Sequence, residues 1–240
     1  MPEQNSYQLF ALGETALVID FGNIIDEEKN RQVHQLYYKL TKNPFPGMIE
    51  AVPAYSSLTI FYDILFIQKK FNPASSVFEW VKNSIVTFLS EDLKIETKIS
   101  GSVRIPVCYD LQFGKDLPSI AEKNKLSLEE IIKLHTDKSY RVYMLGFIPG
   151  FPYMAAVDER IASPRKKEPV MVEAGSVGIA GRQTGIYPFN SPGGWQIIGQ
   201  TPIRLFNKDE REVTLFKPGD LVSFYSITID EFKNIKDRNI

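Results

Sequence analysis

His135, Arg165 and Ser176 are the side chains whose types and surroundings could do chemistry. His135 ends the apolar face of the segment LSLEEIIKLHT, directly ahead of a stretch dense in Gly and Pro. Such an imidazole is either partly buried near a helix C-terminus, where its cation is favoured, or a general acid/base facing a pocket. Arg165 follows Pro164 in SPRKKEP. It belongs to a solvated turn, or it is a fork-shaped clamp for a carboxylate or phosphate. Ser176 lies in AGSVG, a nucleophile elbow but for Ala174 where the first Gly belongs. Its expected role is a loop hydrogen bond. AGSVGIAG has no Gly-Lys-Ser/Thr after it and is not a Walker loop. The only histidines, His34 and His135, have no acidic residues at ligand spacing, so no metal site is expected. The single cysteine, Cys108, sits in the strand-like run RIPVCYD and is expected to be a buried, inert thiol.

The region Leu145 to Pro202 gathers LGFIPGFPYM, SPRKKEP, EAGSVGIAGRQTGIYPFNSPGGW and IIGQTP. Gly and Pro at this density beside large aromatics are not a linker composition. They make stiff loops whose N–H groups can face a ligand. Phe147, Phe151, Tyr153, Tyr187 and Trp195 are expected to wall a pocket. The candidate substrate contacts are these five aromatics with Ser176, Gln183, Thr184, Ser191, Gly193 and Gly194. The plainer alternative is a tightly turned barrel with packed corners.

These groups must be held by the surrounding elements. YQLFAL and ETALVIDFG read as a strand pair turning at Gly13. Val33, Leu36, Tyr37 and Leu40 then mark one helix face, capped by Asp26 and stopped by NPFPG. MIEAVPAYS and SLTIFYD follow as strands. Asn72–Pro73 reads as the start of a second helix with Val77, Val81, Ile85 and Phe88 inward. The fold expected is an α+β domain over residues 1–95, a small antiparallel sheet with two helices. An all-β, barrel-like domain with short helices follows over residues 96–240. The segment Glu91–Ser102 is a linker or an edge strand. Ser127 and Glu130 form a capping box ahead of Ile131. Short apolar runs after Tyr140 suggest an antiparallel barrel or sandwich.

A hydrophobic share of 43% and a charged share of 24% suit a folded core. The net charge of −1 argues against nucleic acid as a partner. The start, MPEQNSYQLF, lacks the pattern of a signal peptide, and no apolar run approaches a bilayer span, so a cytoplasmic, membrane-free protein is expected.

The strings LGFIPGFPY, SPR, AGSVGIAG and IYPFNSPGGWQIIGQTP closely resemble the signature of the KipI-like family. That family includes the B subunits of 5-oxoprolinase and the proteins labelled allophanate hydrolase subunit 1. The resemblance implies an N-terminal α+β domain and a cyclophilin-like β-barrel. It also implies assembly with A-type and C-type 5-oxoprolinase partners. Together such complexes use ATP to open 5-oxoproline, a five-membered lactam, to glutamate. On that reading Arg165 clamps the substrate, backbone N–H groups around Ser191–Gly194 and Gly175–Gly178 meet developing oxygen charge, and His135 moves protons. No nucleotide-binding motif is evident, so ATP is expected at a partner or a composite interface, and the isolated chain is expected to be inactive. The alternative is a regulator that binds and inhibits a sensor histidine kinase. A prolyl isomerase follows from fold analogy alone. The chain departs from its relatives at Val170, where they often carry a second Pro-Arg, and at Glu173, where they often read VPAGSV. A lost guanidinium at 170 would shift the task to Arg165 or Arg182.

Overall fold

In the computed structural model, residues 7–90, 101–210 and 212–238 are described. The chain divides between residues 99 and 100 into two compact units. In the first, β1 (Gln8–Ala11) and β2 (Ala16–Asp20) pair antiparallel across a turn holding Gly13, whose φ of 65° is open to glycine without strain. The Asp26 carboxylate accepts the Lys29 N–H at 2.9 Å and starts α1 (Glu27–Lys42). Glu27 and Glu28 lie at the positive end of its dipole. β3 (Met48–Pro53) and β4 (Ser57–Tyr62) complete an antiparallel sheet in the order β1-β2-β4-β3. Alternation along β4 sends Leu58, Ile60 and Tyr62 into the same core as Val33, Leu36 and Leu40 of α1.

The sequence reading does not foresee α2 (Ile64–Phe71). It is capped by Asp63 and buries only Ile67. Its segment ILFIQKKF carries apolar groups on several faces, which hides the helical period. Asn72 is therefore not the start of the next helix. It is the C-cap of α2, at φ 41°, a left-handed conformation that Asn tolerates better than most residues. The following helix, α3 (Val77–Ser90), starts at Ser76, whose hydroxyl accepts the Glu79 N–H at 3.2 Å. The stretch expected as linker or edge strand lies outside the described residues up to Ser100.

The second unit opens with β5 (Ser102–Val107), α4 (Leu117–Asn124) and α5 (Leu128–Thr136). The capping box at Ser127 and Glu130 forms as expected. There follow β6 (Ser139–Leu145), β7 (Pro152–Ala155), β8 (Val170–Val172), β9 (Ser176–Ala180), β10 (Gln183–Ile186), β11 (Ser191–Gly193), β12 (Gln196–Gln200), β13 (Leu221–Ser226) and α6 (Ile229–Arg238). Seven strands make one sheet in the order β12-β9-β10-β7-β6-β13-β5. The sheet nearly closes into a barrel. Cys108, just past β5, exchanges backbone hydrogen bonds of 2.8 and 3.0 Å with Gln200 at the end of β12. The expected antiparallel arrangement holds except for β5 and β13, which run parallel. A parallel pair needs a long crossover, and here nearly the whole unit supplies it. Val142, Met154, Val177, Ile179, Ile186, Ile198 and Val222 fill the interior without exposure. β8 and β11 form a separate two-stranded ribbon. The whole is mostly β, with six α-helices among the described residues. None of those helices is long and apolar enough to cross a membrane.

Candidate active site

The outer face of the barrel is made flat by glycine. Gly178 of β9 and Gly185 of β10 are cross-strand partners. A Cβ on Gly178 would stand 3.0 Å from the Trp195 Cβ, and one on Gly185 would stand 2.8 Å from the Phe151 ring. Two missing side chains thus make the floor on which these rings lie. Phe151 meets Trp195 edge-on at 5.2 Å, Tyr187 at 5.1 Å and Phe147 at 5.9 Å, and Tyr153 in a tilted contact at 4.8 Å between centroids. The five aromatics expected to share a site therefore do come together, with Val172 of the ribbon against them. They do not wall an open pocket. Phe151, Tyr187 and Trp195 are each at most 4% exposed and pack against one another as a second core, while Phe147 is 62% exposed.

Gly193 is the tightest point of that packing. A methyl there would sit 2.7 Å from two carbons of the buried Tyr187 ring. Gly193→Ala is expected to cost about 1–3 kcal/mol as overpacking, read as a lower thermal midpoint. An unchanged midpoint would show that the ribbon can shift off the ring.

Arg165 stands at the solvent side of this cluster. It is exposed, with its guanidinium 6.0 Å from the centre of the Trp195 ring. Burial raises the Tyr187 and Tyr153 hydroxyls above the usual phenol range, and the Arg165 charge partly offsets this at both. The fork is held beside aromatic rings and remains open to a ligand or partner.

His135 is elsewhere. It is wholly buried inside the barrel, stacked on Phe224 at 4.5 Å and on Tyr140 at 5.4 Å. Its Nδ1 lies 2.8 Å from the Tyr109 hydroxyl and its Nε2 3.0 Å from the Thr184 hydroxyl. The Thr184 hydroxyl donates to the Gly178 carbonyl at 3.1 Å, so it must accept from Nε2–H. Tyr109 then donates to Nδ1, and every polar group in the row is satisfied with the ring neutral. Burial pushes the His135 pKa down to about 3. The expected pairing of His135 with Arg165 at one pocket edge is not what the structure builds. β9 and β10 separate them, with Thr184 on the inner face and Trp195 on the outer.

Phe147 lines one hollow with Ile148, Pro149 and Phe206, and another cleft lies beside Arg165, between the start of α4 and the ribbon. Lys115, Asp116, Lys166, Val170, Glu173, Ser176, Ile197 and Gln200 line this second cleft with Gln112, Phe113, Met171 and Val172. Lys166 pairs with Asp116 at 2.7 Å, and the same carboxylate accepts the Ile197 N–H at 2.6 Å. Both positions of departure from relatives, Val170 and Glu173, therefore edge this cleft. Arg182 does not; it pairs with Glu159 on exposed surface.

The remaining candidates divide. Ser176 opens β9 and lines the cleft, and its place in a strand is not that of a nucleophile elbow. Thr184 serves His135. Gln183 is half-buried at the start of β10. The Ser191 hydroxyl is sealed from solvent without a partner among the described residues. Gly194 accepts the Lys166 N–H at 2.7 Å, which places SPGGW next to SPRKKEP. The expected donor nest at Gly175 is not available to a ligand. Its N–H is engaged by the Tyr187 carbonyl at 2.7 Å, and that of Ser176 by the Glu173 carbonyl at 3.2 Å. Sequence reading missed Lys115, Asp116 and Gln200, because strand register and the docking of α4 decide their placement.

Comparison with known proteins gives consistent matches. Residues 7–216 match the family model described as "Carboxyltransferase domain, subdomain C and D". The chain is 45% identical to the 5-oxoprolinase B subunit of Bacillus subtilis, over 97% of this chain and 98% of that protein. It is 35% identical to the 5-oxoprolinase B subunit of Escherichia coli O157:H7, over 90% and 94%. Among solved structures, TTHA0988 is 36% identical with a TM-score of 0.75. That match covers 88% of this chain but 39% of TTHA0988, so the solved chain extends well beyond the part shared here. The urea amidolyase of Kluyveromyces lactis shares the fold at a TM-score of 0.78 and 18% identity, over all of this chain and 16% of that one.

Proposed function

The chain belongs to the family of the 5-oxoprolinase B subunits, built on carboxyltransferase subdomains C and D, and from that premise we propose that it is the B subunit of an ATP-dependent 5-oxoprolinase. The single observation that carries the reading is 45% identity to such a protein along 97% of this chain. The substrate is 5-oxoproline, an unreactive cyclic amide with a carboxylate, and the product is L-glutamate. Phosphoryl transfer from ATP to the amide oxygen makes the ring carbon an imidate-like electrophile. Water adds there, the ring C–N bond breaks with the amine as leaving group, and hydrolysis of the resulting acyl phosphate releases phosphate and glutamate. ATP binds A-type and C-type partner chains or their interface with this one, and this chain alone does not turn over.

The geometry supports a division of labour. Arg165, open and oriented by Trp195, binds a substrate or phosphoryl oxyanion where the partner meets this face. His135 is a positioning residue. It holds Thr184, and through the Gly178 carbonyl it braces the strand beneath Trp195. Proton transfer then falls to a partner group or to water. The barrel we read as cyclophilin-like, and the compartment as the cytoplasm. Full-length likeness to 5-oxoprolinase B subunits favours this function over inhibition of a sensor kinase.

Co-expression with A-type and C-type partners is the test. Glutamate should appear from 5-oxoproline only with ATP and all three chains. Co-purification of the three without glutamate release would sink the reading.

A further inference from the structure

The floor of the cleft beside Arg165 holds two polar side chains that nothing else in the protein uses fully. Ser176 and Gln200 are register partners on β9 and β12, so their side chains rise side by side from the same face. Each residue is only 6% exposed, and both line the cleft. The Ser176 hydroxyl has no hydrogen-bond partner among the described residues. Gln200 donates its Nε2 to the Ala174 carbonyl at 2.6 Å, which turns its Oε1 into the free end. One free donor and one free acceptor therefore stand next to each other at the bottom of a cavity. Burial makes such groups costly unless a ligand or water completes them.

A cis amide presents the complementary edge: an N–H and a C=O pointing the same way, side by side. Open-chain secondary amides are trans and point them apart. Small lactam rings are held cis. The rim adds charge. Lys115 is exposed and makes no ion pair among the described residues, and the Lys166 ammonium, on the same lining, is paired with Asp116. Glu173 lies on the rim and repels a carboxylate placed near it. Phe113, Val172 and Ile197 offer apolar contact for ring methylenes.

We propose that this cleft reads the amide edge of a small lactam carboxylate. Ser176 donates to the ring carbonyl, Gln200 Oε1 accepts the ring N–H, and Lys115 with Lys166 takes the carboxylate. The assignment rests on the reading of the chain as part of a 5-oxoprolinase, and it names the contacts that reading lacks. It leaves Arg165 free for the phosphoryl oxygens.

Two measurements test it. In the assembled three-chain enzyme, Ser176→Ala and Lys115→Met are each expected to raise KM for 5-oxoproline about 10-fold, as for one lost hydrogen bond or ion contact, with kcat changing less. In the isotope-labelled full chain, 5-oxoproline should shift the backbone amide signals of Val172, Ser176 and Ile197. N-methyl-5-oxoproline, which has no N–H, and 2-pyrrolidone, which has no carboxylate, should bind about 10-fold more weakly. Unchanged KM in both variants of an active enzyme overturns the cleft and leaves membership of a 5-oxoprolinase standing. A wild-type complex that never opens 5-oxoproline overturns that membership. The cleft is then decided by the shifts: equal binding of all three compounds, or shifts confined to other residues, overturns it.

Discussion

Replacing His135 with alanine is expected to lower the thermal midpoint of the barrel steeply. The change opens a cavity between Phe224 and Tyr140 and strands the Tyr109 hydroxyl, 2.8 Å from the lost ring, in a site without solvent. Cavity and orphaned donor together amount to about 3–5 kcal/mol. That is a large part of the roughly 5–15 kcal/mol by which a domain is stable. His135→Gln keeps a donor and an acceptor and should cost less. The same residue sets an acid limit. Its folded value of about 3 lies below the ordinary 6.5, so the native state favours the neutral ring. Unfolded chains take up the proton as pH falls through 6.5, and native chains do not until about 3. Stability contributed by the neutral ring is thus complete above pH 6.5 and is lost on acidification through that window, at up to about 1.4 kcal/mol per pH unit. Tyr109 and Tyr140, which face the ring, are both raised by burial and stay neutral throughout. Thermal midpoints at neutral and mildly acid pH should therefore fall further apart for the wild type than for His135→Gln. Parallel behaviour of the two would mean the ring is not held neutral.

Arg165→Ala should leave stability nearly untouched, because the side chain is exposed, and should cripple turnover. Loss of a charge-assisted, two-pronged contact to a reacting oxyanion corresponds to about 100-fold in kcat/KM of the reconstituted enzyme. Arg165→Lys keeps the charge without the fork and should recover part of that loss. The Arg165 assignment does not survive if the alanine enzyme stays within about threefold of wild type, a difference of under 1 kcal/mol.

Much of this molecule is legible in its residues. Alternation along SLTIFY and the capping signals at Asp26 and Ser127 place elements where the structure has them. The aromatics of the Gly- and Pro-rich loops do meet. What stays hidden is long-range. ILFIQKKF has no clean amphipathic period, so α2 escapes, and Asn72 is given to the wrong helix end. His135 shares an apolar face with Ile131, and only the barrel that closes over that face shows it to be interior. Glycine is read as a source of free N–H groups. At Gly178 and Gly185 its use is the missing side chain, and at Gly175 the N–H is already engaged. Lys115 and Gln200 become neighbours of Ser176 through strand register and helix docking, which one sequence cannot specify.

The parallel union of β5 with β13 makes synthesis a vulnerable stage. Among the described residues β5 has no other ladder partner, and Val103 must wait for Val222. While the ribosome is still translating the interval, the emerging chain carries β6 with a bare edge and a row of apolar groups with no wall behind them. Such non-local closure is slow and exposed to wrong pairings. Nascent barrels of this design are the stage at which a chaperone, or early capture by an assembling partner, has most to protect.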